Sequence, residues 1–195
     1  TNNLETAIQL SKKPNINFAM MGGPGTGKTT ISQLIGEILC ENGLLSVGHL
    51  VKKTPGELMG DHVGASEANI RKAVQDAMGG VLFIDEAYSL ATKPGSSTTF
   101  NEECVATLIQ AMENYRDNLV VVFAGYKKEM DGFLKSNSGI VSRIGYTLDF
   151  KDYTTDELIQ IFKSMFDKAG FIVDDSAIEK VKEITEEYRN TEGFG

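Results

Sequence analysis

Tryptophan is absent, prolines number only four and cysteines two, and no apolar run approaches the length needed to cross a membrane. Each shortage excludes something. Two cysteines, Cys40 and Cys104, are too few for the disulfide framework of a small secreted domain. Both fall on expected helices and read as buried free thiols of a cytoplasmic protein. Basic residues are also short: 19 Lys and Arg face 27 Asp and Glu, leaving a net charge of −8. That balance argues against a general binder of nucleic acid or of membrane surfaces. What remains is ordinary for a globular chain: 195 residues, 41% hydrophobic and 24% charged, enough for one large domain or a medium one with a small companion.

Glycine is not scarce, and its densest cluster organises the rest. Residues 22–29 read Gly-Gly-Pro-Gly-Thr-Gly-Lys-Thr, a glycine, four variable residues and then Gly-Lys-Thr. Glycines at 22, 25 and 27 let the backbone approach a ligand and turn successive N–H groups onto phosphate oxygens. The apolar run 16–21 before the loop reads as a buried strand, and 29–40 after it as a helix with apolar residues at 31, 34, 35, 38 and 39. A loop feeding a helix N-terminus is an anion site. Gly22, Gly23, Pro24, Gly25, Thr26, Gly27, Lys28, Thr29 and Thr30 are therefore the expected nucleotide cradle. Lys28 would reach the β- and γ-phosphates and the Thr29 hydroxyl would ligate Mg²⁺.

A second site follows the apolar strand 81–84, which ends in Asp85-Glu86. Strands this apolar belong at the centre of a parallel sheet, and ligands of such sheets sit beyond the strands' carboxyl ends. There Asp85 would hold Mg²⁺ and Glu86 would deprotonate a water aimed at the γ-phosphate. Further strands are expected at 47–51, 119–124 and 144–150, with helices at 4–12, 66–78, 101–115 and 127–134, a loop or short helix at 54–64 and a polar loop at 92–100. His49 reads as strand filling. The alternation predicts an α/β fold: a P-loop NTPase αβα sandwich with a five-stranded parallel sheet over residues 1–150. From 151 to 195 only helices are expected, with capping boxes at Thr154/Glu157 and Ser176/Glu179 and apolar faces at 158, 161, 162, 165 and at 177, 178, 181, 184, 188. This part reads as a small, truncated helical lid.

Together the phosphate loop, the stretch 79–90 (Gly-Gly-Val-Leu-Phe-Ile-Asp-Glu-Ala-Tyr-Ser-Leu), the stretch 117–126 ending Phe-Ala-Gly-Tyr, and Ser142-Arg143-Ile144 resemble AAA+ ATPases. More narrowly they resemble the group of CbbX-type red rubisco activases and stage V sporulation protein K (SpoVK) ATPases. The resemblance implies that Arg143 is an arginine finger acting in a neighbouring subunit, and hence a ring, typically a homo-hexamer. It puts Gly125-Tyr126 at the sensor position beside the nucleotide, and His62-Val63-Gly64 on the pore loop that grips a protein client, with histidine where relatives carry an aromatic. Val141 stands where some relatives have a second arginine, and the chain stops at Phe194-Gly195, just before the expected lid arginine.

The expected activity is Mg²⁺-dependent ATP hydrolysis coupled to remodelling of a protein partner, with Lys28, Glu86 and Arg143 as the catalytic residues. The alternative is a nucleotide-gated scaffold with little turnover, which His62 and the missing lid arginine favour. A P-loop kinase fits less well, because an acid pair followed by a finger-like arginine suits water better than an acceptor. No client-binding module stands out in the residues.

Overall fold

The structure, a computed structural model, describes residues 15–60, 64–91 and 99–189. The expected helix at 4–12, His62 and Val63, most of the loop at 92–100, and Phe194-Gly195 lie outside the described residues. Five strands, β1 (Asn17–Gly22), β2 (Leu50–Lys53), β3 (Val81–Ile84), β4 (Val120–Gly125) and β5 (Ile144–Phe150), form one parallel sheet in the order β2-β3-β4-β1-β5. The helices are α1 (Lys28–Glu41), α2 (Pro55–Leu58), α3 (Ala65–Asp76), α4 (Thr99–Asn114), α5 (Lys127–Ser136), α6 (Ser138–Val141), α7 (Thr155–Lys168) and α8 (Asp175–Arg189).

Side-chain alternation along the strands builds two cores, one on each face of the sheet. Met20, Val81, Phe83, Val120, Val122 and Ala124 pack with Ile31, Ile35 and Leu39 of α1. Ala19, Met21, Leu82, Ile84, Val121 and Phe123 point the other way, into a larger cluster with residues of α3 to α6 such as Ile70, Leu108, Met130 and Ile140. Helices on both faces make the expected αβα sandwich. Every residue of β3 and β4 is buried, whereas β2 and β5, at the sheet edges, are only partly covered. Among the described residues no helix is long and apolar enough to cross a membrane.

By contact density the chain falls into two compact units. One holds the described residues up to Gly22 together with Gly27–Phe150; the other holds Gly23–Thr26 and the described residues from Lys151 onward. In the second, α7 opens with the anticipated capping box: Glu157 N–H donates to Thr154 Oγ1 at 3.3 Å, and Thr154 N–H donates to the Glu157 carboxylate at 2.7 Å. Phe162, Phe166 and Phe171 contact one another in series, the first pair tilted and the second edge-to-face, with ring centroids 4.4 and 6.0 Å apart.

Three local expectations need correction. The second strand begins at Leu50 rather than 47, because Val47 and Gly48 both donate their N–H groups to the Gly79 carbonyl, at 2.9 and 2.8 Å, instead of joining the sheet ladder. Gly48, at φ +81°, packs so tightly on α1 that a Cβ there would stand 2.7 Å from the Gly36 carbonyl oxygen. The box at Ser176/Glu179 does not form. Asp174 caps α8 instead, accepting the Ala177 N–H at 2.8 Å and the Ser176 hydroxyl at 2.8 Å, which leaves Ser176 inside the first turn as a donor. Of the two free cysteines, only Cys104 is buried, where desolvation pushes its thiol above the ordinary value; Cys40 is partly exposed.

Candidate nucleotide-binding site

Parallel pairing brings the carboxyl ends of β1, β3 and β4 to one edge, with Met21 opposite Gly125 and Ile84 opposite Phe123. Since β4 lies between the other two, β1 and β3 run about 10 Å apart. Ligands of open α/β sheets settle beyond such an edge.

The loop after β1 has the geometry its glycines predict. A Cβ on Gly22 would stand 2.5 Å from the Phe150 carbonyl oxygen, so no larger residue fits between β1 and the end of β5. Gly25 and Gly27 take φ +73° and +92°, the left-handed region that glycine enters without steric cost. Thr26, buried, donates its hydroxyl to the Gly23 carbonyl at 2.9 Å and accepts the Tyr153 hydroxyl on its own carbonyl at 3.1 Å. Pro24, Gly25 and Thr30 are exposed; Gly23 and Thr29 are partly buried. α1 starts at Lys28 with no side-chain cap from Gly27, the arrangement in which a helix N-terminus presents N–H groups to an anion. Lys28 Nζ donates to the Gly22 carbonyl at 2.9 Å. Burial lowers the Lys28 ammonium below the ordinary lysine value, and the Asp85 carboxylate opposes that shift, so the two groups are electrostatic neighbours across β4.

At the end of β3 the Asp85 N–H donates to the Lys53 carbonyl at 2.9 Å, continuing the ladder one residue past the strand. Its carboxylate is held at both oxygens: Oδ1 accepts the Glu86 N–H at 3.2 Å and Oδ2 pairs with Lys52 Nζ at 2.8 Å. Glu86 is the only non-glycine among the described residues at positive φ, +51° with ψ +40°. Such strain concentrates at functional positions, and here it turns the chain abruptly from strand into the 3₁₀ turn Ala87–Leu90. Tyr88 in that turn lies beside Glu86; burial first, then the negative charge of Glu86, raises the phenol above its ordinary value. The Tyr88 ring lies against Gly125, and its centroid is 6.4 Å from that of Tyr126, a half-exposed residue at the N-cap of α5.

Arg143 follows α6, with about a quarter of its side chain exposed. Nη1 donates to the Gly139 carbonyl at 3.1 Å and to Ser142 Oγ at 3.3 Å, while Nε faces Glu113 Oε2 on α4 at 3.4 Å, an ion pair without hydrogen-bond geometry. Gly64 is the left-handed N-cap of α3, at φ +82°. Lys28 thus lies close enough to Asp85 to feel its charge, Glu86 follows in the chain, and Tyr126 neighbours the ring of Tyr88. Arg143 is engaged by its own α4–α6 surroundings.

Three neighbours escaped the sequence reading: Lys52, Tyr88 and Glu113. Only Tyr88, two residues past Glu86, carried a local signal. For metal, the anionic donor at hand is the Asp85 carboxylate, and the expected second oxygen is the hydroxyl of Thr29, a partly buried residue next to Lys28; among the described residues no group of three or more His, Cys, Asp or Glu is clustered to hold an ion. Oxygen-only donors, few in number and next to a phosphate cradle, fit Mg²⁺, which completes its shell with water and nucleotide oxygens.

Comparison with known proteins bears on family and fold. The chain is 41% identical over 177 residues to a CfxQ homolog protein of Pyropia yezoensis, covering 91% of this chain and 59% of that one. It is 41% identical over 161 residues to the chloroplastic ribulose bisphosphate carboxylase/oxygenase activase of Cyanidioschyzon merolae, covering 83% and 55%, and 40% identical over 184 residues to protein CfxQ of Xanthobacter flavus, covering 94% and 58%. It therefore spans a little over half the length of these relatives. Among solved structures, the FIGL-1 AAA domain in complex with ADP superposes with a TM-score of 0.61 at 21% identity, over 89% of this chain and 56% of that one, a likeness of fold. The model of the ATPase family associated with various cellular activities (AAA) matches residues 18–148, and the chain belongs to that family.

Proposed function

We propose that the protein binds ATP with Mg²⁺, hydrolyses it, and uses the cycle within a ring of like subunits, a homo-hexamer, to remodel a protein client in the cytoplasm. The observation that carries this reading is a partly desolvated Lys28 that feels the charge of Asp85 across β4, with Glu86 following at once in a strained backbone. The loop from Gly22 to Thr30 cradles the phosphates, and Lys28 balances their charge. Thr29 and Asp85 would hold the metal, which neutralises charge on the β- and γ-phosphates as it builds. Glu86 takes the proton of the attacking water. Tyr126 reads the nucleotide side of the site. Arg143 serves the neighbouring subunit's site, where such a residue contributes about 10³ to 10⁵ in rate. Residues 1–150 form the nucleotide-binding domain and the lid begins at 151. The likeness to CfxQ proteins and to a rubisco activase supports a protein client.

The test is Glu86→Gln, which keeps the shape of the side chain and removes its basicity. ATP should still bind, measured with a fluorescent analogue, while turnover falls at least a hundredfold, within the range assigned to general-base catalysis. Unchanged turnover removes Glu86 from the mechanism. A nucleotide-gated scaffold is the second reading, favoured by the own-chain contacts that engage Arg143. Fully assembled rings that bind ATP yet turn over no faster than the Glu86→Gln variant would establish it.

A further inference from the structure

The last two residues of β2 are consecutive lysines, and neighbours on a strand project to opposite faces. Lys53 goes to Glu57 of α2, 3.5 Å away. Lys52 goes the other way: its ammonium lies 5.9 Å from the ring centroid of the buried Phe83 and 2.8 Å from Asp85 Oδ2. Because Asp85 Oδ1 already accepts the Glu86 N–H, both carboxylate oxygens have donors in the polypeptide itself. Lys28, the lysine of the phosphate loop, directs its Nζ to the Gly22 carbonyl. A cation in direct contact with the metal-site carboxylate is Lys52, which lies outside every motif used to assign the site.

We propose that Lys52 is a built-in counter-ion of Asp85 that competes with the divalent metal for that carboxylate, lowering the affinity of this chain for Mg²⁺. This rests on the proposed placement of the metal at Asp85. A dication approaching Oδ2 must displace the ammonium or share the oxygen with it, and in the second case two positive centres crowd one ligand. The face of Phe83, whose ring centroid lies 5.9 Å from the ammonium, offers the displaced cation an attraction close to the site. The effect is bounded by exposure: with half of the Lys52 side chain and nearly a third of Asp85 in solvent, the pair is screened. A shift of about two- to fivefold is the scale that a partly exposed pair supports.

The experiment is direct titration of Mn²⁺ into the ADP-bound protein, following free Mn²⁺ by electron paramagnetic resonance, which needs no turnover. Lys52→Met keeps the stem and removes the charge; it should bind Mn²⁺ about two- to fivefold more tightly than the parent. Lys52→Arg, which restores a cation, should return to the parent value. Equal or weaker Mn²⁺ binding in Lys52→Met overturns the proposal, and Lys52→Gln provides the same reading if the methionine variant folds poorly. Asp85→Asn separates the two levels of argument: it should lose most Mn²⁺ binding, and if it binds as the parent does, the placement of metal at Asp85 fails and the role of Lys52 falls with it. Loss in Asp85→Asn with no change in Lys52→Met leaves the metal site standing and removes the competing lysine alone.

Discussion

Gly125→Ala probes the centre of the site by one methyl group. Gly125 ends β4 and lies outside the set of glycines at positive φ, so alanine is compatible with its backbone and the cost is purely steric. The new Cβ would stand 2.7 and 2.8 Å from Cδ1 and Cε1 of Tyr88 and 3.1 Å from Cγ of Met130. Ordinary carbon contacts lie near 3.5–4.0 Å, so the tyrosine ring must retreat by about 0.7 Å or more. Met130 can yield by changing rotamer, but Tyr88 is a rigid ring with Glu86 beside it. Overpacking of this kind costs about 1–3 kcal/mol. For a 195-residue chain that is a fall of about 2–12 °C in Tm. Hydrolysis should suffer more than nucleotide binding, since the displaced ring disturbs Glu86, the carboxylate proposed to activate water, and leaves the phosphate loop alone. The decisive assay is a double-mutant cycle: Tyr88→Ala removes the obstacle, so Gly125→Ala should destabilise little in that background, giving a coupling of about 1 kcal/mol or more between the two positions. If Gly125→Ala costs the same Tm with and without the Tyr88 ring, the contact is not the cause. If kcat is unaffected while Tm falls, Tyr88 does not position Glu86.

Arg143→Ala should cut hydrolysis by about 10³-fold or more with little change in nucleotide affinity, and parent activity should rise with protein concentration; activity independent of concentration far below any assembly threshold refutes a shared site. Gly22→Ala should weaken nucleotide binding and lower Tm together, because the Phe150 carbonyl it would strike is backbone and cannot swing aside; calorimetric titration with ADP checks the first and thermal melting the second. The pH dependence of the nucleotide-free protein has a definite sign: with the folded-state Lys28 pKa lowered, the unfolded chain binds more protons between that value and the ordinary lysine pKa, so the Lys28 contribution makes stability rise with pH through that window. Lys28→Met should abolish that component. Asp174→Ala should speed amide hydrogen exchange in the first turn of α8, whereas Ser176→Ala should leave it nearly unchanged; the reverse would restore Ser176 as the cap.

The parts of this molecule that could be read directly from residues are those in which one short segment contains its own constraint. The phosphate loop requires glycines where its backbone turns, and the run from Val81 to Ile84 ending in Asp85-Glu86 announces both its burial and its edge. Errors arose where the deciding partner is distant. The apolar residues at 47–51 suit a strand, but the Gly79 carbonyl captures the N–H groups of Val47 and Gly48, and Gly48 nestles on Gly36, so pairing starts at Leu50. That slip hid Lys52, which fell beyond the expected strand and could not be placed beside Asp85 without the register of β2 on β3. Asp174 and Ser176 are both good caps by type, and only the path of the chain entering α8 decides between them. Glu113 and Arg143 pair across 30 residues with no periodicity linking them.

The fit of Gly22 against Phe150 has a consequence for biogenesis. β1 is flanked in the sheet by β4 and β5, both made after it, so β1 gains its first sheet neighbour only once Val120–Gly125 have been made and its second only once Ile144–Phe150 follow. Parallel pairings over such sequence separations close late and slowly. The phosphate loop is thus translated about a hundred residues before the strand end that Gly22 packs against, and its base takes its final shape only when Phe150 arrives.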